Sequence, residues 1–165
     1  MSKMYRYLAE QFARKAMGGK KAIPDFYLDR LEYFNFDALW SDAAVRDKVV
    51  KALAGFIRRK VAGFKGVTKL LGTDTVTVNY SYGTLPVAGI ISHLLKKDLI
   101  IWSENADLPK GTHKIFGPVT RHDKVLIIHD LLRETITLKS TLTTLLARTN
   151  FRIAGIVVLV NTTGK

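Results

Sequence analysis

The stretch KVLIIHDLLRETITLKS, residues Lys124 to Ser140, decides the fold. Its apolar run, Val125 to Ile128, ends in a polar pair, His129 and Asp130. Arg133, Glu134, Thr135, Ile136 and Thr137 form a predicted loop, and Leu138, Leu142, Leu145 and Leu146 then recur at helical spacing. Strand, polar end, loop and helix is the order in which a doubly wound sheet offers a ligand site at the carboxyl end of a strand. The position calls for phosphate, but the residues supply little for it. The loop has no glycine, its β-branched residues resist the positive φ that backbone cradles use, and Glu134 repels an anion.

Downstream, Ile153 to Val160 (IAGIVVLV) is apolar throughout and predicts a central parallel strand buried on both faces. Upstream, residues 67–71 and 75–79 predict two short strands, with Gly72 to Asp74 turning between them. A loop over Asn79 to Thr84 leads to Pro86, which opens a helix running to about Lys97. Leu99 to Trp102 predicts a short buried strand, and Ser103 to Pro118 a loop long enough to be functional. Two β-α-β units between residues 75 and 160 predict an α/β fold, a mostly parallel sheet flanked by helices.

Nearer the N-terminus, Met4, Leu8 and Phe12 predict an amphipathic helix over about residues 3–17, stopped by Gly18 and Gly19. The aromatic-rich stretch 26–40 predicts one or two short strands. Ser41 is the predicted cap of a helix over about residues 42–61, with Val45, Val49, Leu53, Phe56 and Ile57 as its apolar stripe. The organisation expected is one domain over residues 1–165, with a small N-terminal α/β lobe at 1–40 and an α/β core at 41–165. Repeats and low-complexity segments are absent from the sequence.

A chain of 165 residues with 47% apolar content suits one domain with a real core. The sequence has no cysteine, which excludes disulfides and thiolate metal sites. It has no apolar run of the ~18 residues that a membrane span needs. The first residues, MSKMYRYLAEQF, are basic without the apolar core of a secretory signal, so a cytoplasmic protein is expected. The charge is far from neutral: 26 Lys and Arg against 14 Asp and Glu, net +12, pI near 10.0. A small anionic substrate needs only a few local cations. An excess this large fits a polyphosphate partner, whose affinity grows with the phosphates neutralised. The candidate nucleic-acid contacts are Lys3, Arg6, Arg14, Lys15, Lys20 and Lys21 near the N-terminus. Arg58, Arg59 and Lys60, with Lys110 and Lys114, complete them. A solvated helix face, or a charge complement to a helix C-terminus, gives the same residues a purely structural reading.

Five segments in chain order, covering nearly the whole sequence, resemble the type I phosphoribosyltransferases, and within them the orotate enzymes. FYLDRLEYFNFDALWSD is similar to the N-terminal lobe entry, and YGTLPVAGIISHLL to the pyrophosphate loop and its helix. LIIWSENADLPKGTHKIFGP is similar to the mobile catalytic loop. KVLIIHDLLRETITL is similar to the diphosphate-sugar signature, and AGIVVLVNTTGK to the strand after it. The resemblance implies a Rossmann-like parallel sheet with an N-terminal hood, and commonly a homodimer. For an active enzyme it also implies magnesium and phosphoribosyl diphosphate.

The resemblance further implies two acids at the end of the signature strand. Here Asp130 stands in the second position and His129 in the first. Phosphate contacts would fall to Arg133, Thr135 and Thr137, and pyrophosphate contacts to Gly83 and Thr84. Lys110 and Lys114, with His113 between them, supply the only positive charge of the mobile loop. The base-contacting turn of the orotate enzymes is shortened where Leu28, Asp29 and Arg30 run on. Together these departures touch the base, pyrophosphate, metal and phosphate sites.

Other chemistry is thin. His93, His113, His122 and His129 lack metal-pair spacing, so no metal site is expected. His129 and Asp130 are strand neighbours that start on opposite faces, which argues against a catalytic dyad. No P-loop or nucleophile elbow is present. Tyr80 and Tyr82 suit either stacking on a base or packing under the mobile loop. Three readings remain open. One is a catalytically degenerate relative reused to bind nucleic acid, RNA or a ribonucleoprotein such as the ribosome, needing no cofactor. The second is an active phosphoribosyltransferase working on a nucleobase, with His129, Asp130, Lys110 and Lys114 as its catalytic set. The third is a nucleotide-sensing regulator.

Overall fold

The computed structural model describes residues 40–75, 84–104, 113–132 and 135–161. Helix α1, Ala43–Lys60, leads through a 3-10 turn at Phe64–Gly66 into strand β1, Lys69–Thr75. Helix α2, Thr84–Leu95, and strand β2, Asp98–Glu104, come next. They are followed by β3, His113–Phe116, and β4, Lys124–Leu132. Helix α3, Thr135–Arg148, and β5, Arg152–Asn161, complete the described chain. The strands form one sheet in the order β3-β2-β1-β4-β5. Only β3 runs antiparallel to its neighbour. This is the expected α/β core, a mostly parallel sheet between helices.

The side-chain alternation of the strands sorts the core into two layers. Leu70, Leu126 and Ile128 face Val49, Ala54 and Ile57 of α1 and Val87, Ala88 and Ile91 of α2. Leu71, Val125 and Ile127 face the other way, with Ile100, Trp102, Phe151 and Leu145 of α3. Adjacent residues of β1 and of β4 thus belong to opposite layers. That is why β4 reads as an unbroken apolar run from Val125 to Ile128. Trp40, at the boundary of the predicted N-terminal lobe, is buried with the α1 layer.

Several sequence expectations are corrected. The cap of α1 is Asp42, not Ser41: its carboxylate accepts from the Ala44 and Val45 N–H groups at 3.0 Å. A carboxylate satisfies two orphan donors and meets the positive helix end with a full charge. Gly72 to Asp74 do not turn; they lie inside one strand, β1. Gly72 is there for proximity, since a Cβ on it would stand 2.9 Å from the Ala88 Cβ of α2. Helix α2 ends at Leu95, short of Lys97. The predicted loop 103–118 is partly sheet: Ser103 and Glu104 extend β2 and pair with Lys114 and His113 of β3. Gly117 turns the chain out of β3 at φ 104, a conformation that favours glycine. Among the described strands, the apolar one over Ile153 to Val160 is not central. Among the described residues β5 pairs with β4 alone, and packing against α3 contributes to its burial.

The beginnings of β1, β4 and β5 are tied by one residue, Asp123. Asp123 accepts from the Thr68 hydroxyl at 2.8 Å, the Thr120 N–H at 2.7 Å and the Thr120 hydroxyl at 3.1 Å. Its backbone carbonyl accepts from the Arg152 N–H. Burial pushes its pKa up, but these hydrogen bonds and the nearby Lys69 charge outweigh that and hold it below the ordinary carboxylate value.

Gly72→Ala is expected to cost about 1–3 kcal/mol by overpacking, read as a lower urea midpoint, with Ala88→Gly in the same chain restoring most of the loss. Asp123 has a lowered folded pKa, so its contribution is complete above the unfolded carboxylate pKa and is lost as pH falls through the folded value. Asp123→Asn is therefore expected to cost about 1.5–3 kcal/mol at neutral pH. Urea unfolding at a series of pH values should show the variant closing on the native protein in acid.

Candidate functional site

The connections of β1 and β4 leave in opposite directions. From β1 the chain crosses through α2 to β2 on one side, and from β4 it crosses through α3 to β5 on the other. The gap between the carboxyl ends of β1 and β4 is therefore the topological switch point, where open α/β sheets hold their ligands. The register shows how the gap opens. Pairing between β1 and β4 ends at Gly72 and Ile128. Beyond that step β1 continues along β2 to Thr75, and β4 along β5 to Leu132.

The first residues past the last β1–β4 pair are Thr73 and His129. Both are buried, and the Thr73 Oγ1 lies 3.2 Å from the His129 Nδ1. This hydrogen bond spans the floor of the crevice. The imidazole donates or accepts at Nδ1 according to its tautomer, and the hydroxyl can complement either form. By strand alternation His129 shares the sheet face of Ile127, the α3 side.

The sequence-predicted residues fall unevenly around this site. His129 lies on the crevice floor, and Asp130 follows it within β4. Thr135 and Thr137 are not loop residues: they belong to the first turn of α3. Residues 133 and 134, between β4 and α3, are outside the described residues, Arg133 among them. Thr84 is buried and begins α2 at the carboxyl side of β1, while Gly83 is outside the described residues. Lys114 falls in the β3 backbone opposite Ser103, and Lys110 is outside the described residues. Tyr80, Tyr82 and Leu28 to Arg30 lie outside them as well, as do Lys3, Arg6, Arg14, Lys15, Lys20 and Lys21. Arg58 reaches α2, donating to the Leu94 carbonyl at 2.6 Å, while Arg59 and Lys60 are exposed. His93 and His122 are surface residues. The described residues hold no cluster of three or more His, Cys, Asp or Glu able to bind a metal. No described helix is long and apolar enough to cross a membrane.

Thr73 is the site residue that sequence reasoning missed. Gly-Thr-Asp reads as a turn, and that reading hid the strand. The available signal was the continuity of KLLGT with an apolar face and a closely packed glycine.

No protein-family model matches the chain, and no curated protein matches it. Solved structures do. The chain is similar to UMP synthase from Leishmania donovani, with 22% identity and a TM-score of 0.65 over 94% of this chain and 31% of that one. It is similar to adenine phosphoribosyltransferase from Saccharomyces cerevisiae, with 13% identity and a TM-score of 0.68 over 95% of this chain and 89% of that one. It is also similar to orotate phosphoribosyltransferase from Aeropyrum pernix, at 16% identity and a TM-score of 0.65 over 97% and 82% of the two chains. This chain has the phosphoribosyltransferase type I fold. The chain spans about a third of the Leishmania protein's length.

Thr73→Val removes one partner of a buried imidazole nitrogen and is expected to cost about 1–3 kcal/mol. Chemical denaturation measures the loss, and an imidazole nitrogen NMR spectrum should show the Nδ1 environment changing with it. Thr73→Ser, which keeps the hydroxyl, should lose much less.

Proposed function

We propose that this protein is a catalytically degenerate relative of orotate phosphoribosyltransferase, reused in the cytoplasm to bind nucleic acid. The target is RNA, free or in a ribonucleoprotein such as the ribosome. One observation carries the reading: a buried imidazole, engaged with Thr73, stands where the resemblance implies the first acid of the diphosphate-sugar signature.

Magnesium is a hard cation that takes oxygen ligands and usually sits on carboxylates and substrate phosphates. An imidazole contributes neither an oxygen nor a negative charge, so His129 and Asp130 fit that group poorly. Removing one key electrostatic group from such a site costs about 3–4 kcal/mol of transition-state stabilisation. The net charge of +12 supports the other half of the reading, because it exceeds what one diphosphate-sugar needs and suits a polyphosphate. The homodimer implied by the resemblance belongs to the same proposal.

A titration against unstructured RNA at rising salt tests it. Affinity should fall steeply, with a slope in log K against log salt of about −0.7 per phosphate contacted. Binding that ignores salt, or no binding, overturns the reading. Magnesium-dependent pyrophosphate release from phosphoribosyl diphosphate with any nucleobase would instead revive the active transferase. A thermal shift with nucleotide alone would favour the sensor.

A further inference from the structure

The parallel topology gathers cations that the sequence scatters over nearly a hundred positions. Every parallel strand begins at the same pole, opposite the crevice, and each described helix ends there. Arg58, Arg59 and Lys60 end α1, Lys96 and Lys97 follow α2, and Arg148 ends α3. Between helices and strands, Lys65 precedes β1, Arg121 and Lys124 lead into β4, and Arg152 begins β5. All of these are exposed except Lys97, which is half-buried. The acids among the described residues of this pole are Asp98 and Asp123, and both are engaged. Asp98 sits 3.2 Å from the Lys69 Nζ, and Asp123 accepts the three hydrogen bonds given above.

Contacts bring several of these cations together. Arg58 ties the end of α1 to the end of α2 through the Leu94 carbonyl. Lys97 stands 5.4 Å from the Phe64 ring centroid, beside Lys65 in the chain. A Cβ on Gly66 would lie 3.6 Å from the Lys124 Nζ, which brings β4's first cation to the same turn. Lys96 occupies a left-handed position, φ 53, with its N–H bonded to the His93 carbonyl and the Lys97 N–H to the Ser92 carbonyl. Glycine is the usual residue in that helix-ending turn, and an L side chain is strained there. Cations at helix C-termini are expected from the macrodipole. That does not account for Lys65, Arg121, Lys124 and Arg152, which belong to no α-helix. The two large apolar side chains exposed among the described residues are Phe116, where β3, running toward this pole, ends opposite Ile101, and Leu146, in the last turn of α3.

We propose that this amino-end edge of the sheet is the RNA-docking surface, taking single-stranded phosphate backbone on its cations and a base on Phe116. The proposal rests on the nucleic-acid reading above and locates it at the pole opposite the crevice. A cationic groove with an aromatic platform is how single strands are held without sequence preference. A membrane surface would require a broad apolar face rather than isolated apolar side chains.

Two triple variants of equal charge change test the location. One is Lys65→Gln with Arg121→Gln and Arg152→Gln at the edge. The other is Lys48→Gln with Lys51→Gln and Lys139→Gln, on exposed faces of α1 and α3 away from it. Binding of the full chain to unstructured RNA is titrated over a salt series. The edge triple should flatten the salt slope by about 2, at about 0.7 for each phosphate no longer neutralised, while the control triple keeps the native slope. Phe116→Ala should weaken binding about tenfold without changing the slope. Equal flattening in both triples, with native binding intact, overturns the location but leaves RNA binding standing. Absence of salt-dependent RNA binding by the native protein sinks the underlying reading as well. Tight binding to anionic phospholipid vesicles that RNA fails to displace would also overturn the proposal.

Discussion

The structure depends on the parallel pairing of β1 along both of its edges. A strand with parallel neighbours on each side must be reached by crossover connections; here helices α2 and α3 make two of them on opposite sheet faces, and the chain passes through β3 on its way from β2 to β4. The same constraint gives the molecule two unlike poles. Strand ends and helix beginnings gather at one, strand beginnings and helix ends at the other. The crevice and the cationic edge are both consequences of that polarity.

Close packing enforces it. Helix α2 lies so near β1 that Gly72 has no room for a side chain opposite Ala88. The other face is filled by Leu71, Val125, Ile127, Trp102 and Leu145. Asp123 fastens the strand beginnings, and its carboxylate is satisfied by groups from both flanking segments. A buried charge with three donors is stable where an unpaired one would not be. At the opposite pole Thr73 and His129 meet where the β1–β4 ladder ends. The floor of that gap holds an imidazole bonded to a hydroxyl.

Much of this was legible in the chain because periodicity survives translation into structure. The α1 stripe, the β4 run, and Leu142 and Leu145 of α3 appear where their spacing put them. The misreadings share a cause. Gly72 to Asp74 have turn composition, yet the glycine answers to Ala88 on a helix further along the chain rather than to its own backbone. Ser103 to Pro118 lacks a strand pattern in part because the β3 pairing is short and lies at the sheet edge. The β5 run is apolar like a central strand although among the described residues β5 has β4 as its one neighbour.

The sequence by itself determined the fold class, the order of the β-α-β units, and the polar pair His129 and Asp130 after the apolar run of β4, since these depend on local pattern and residue identity. It also determined the excess of positive charge. Only the tertiary structure decided that His129 meets Thr73, a residue 56 positions away, and that cations from three helix ends and the approaches to three strands share one edge. Strand pairing and helix direction set those juxtapositions, and neither is written in the spacing of residues along the chain.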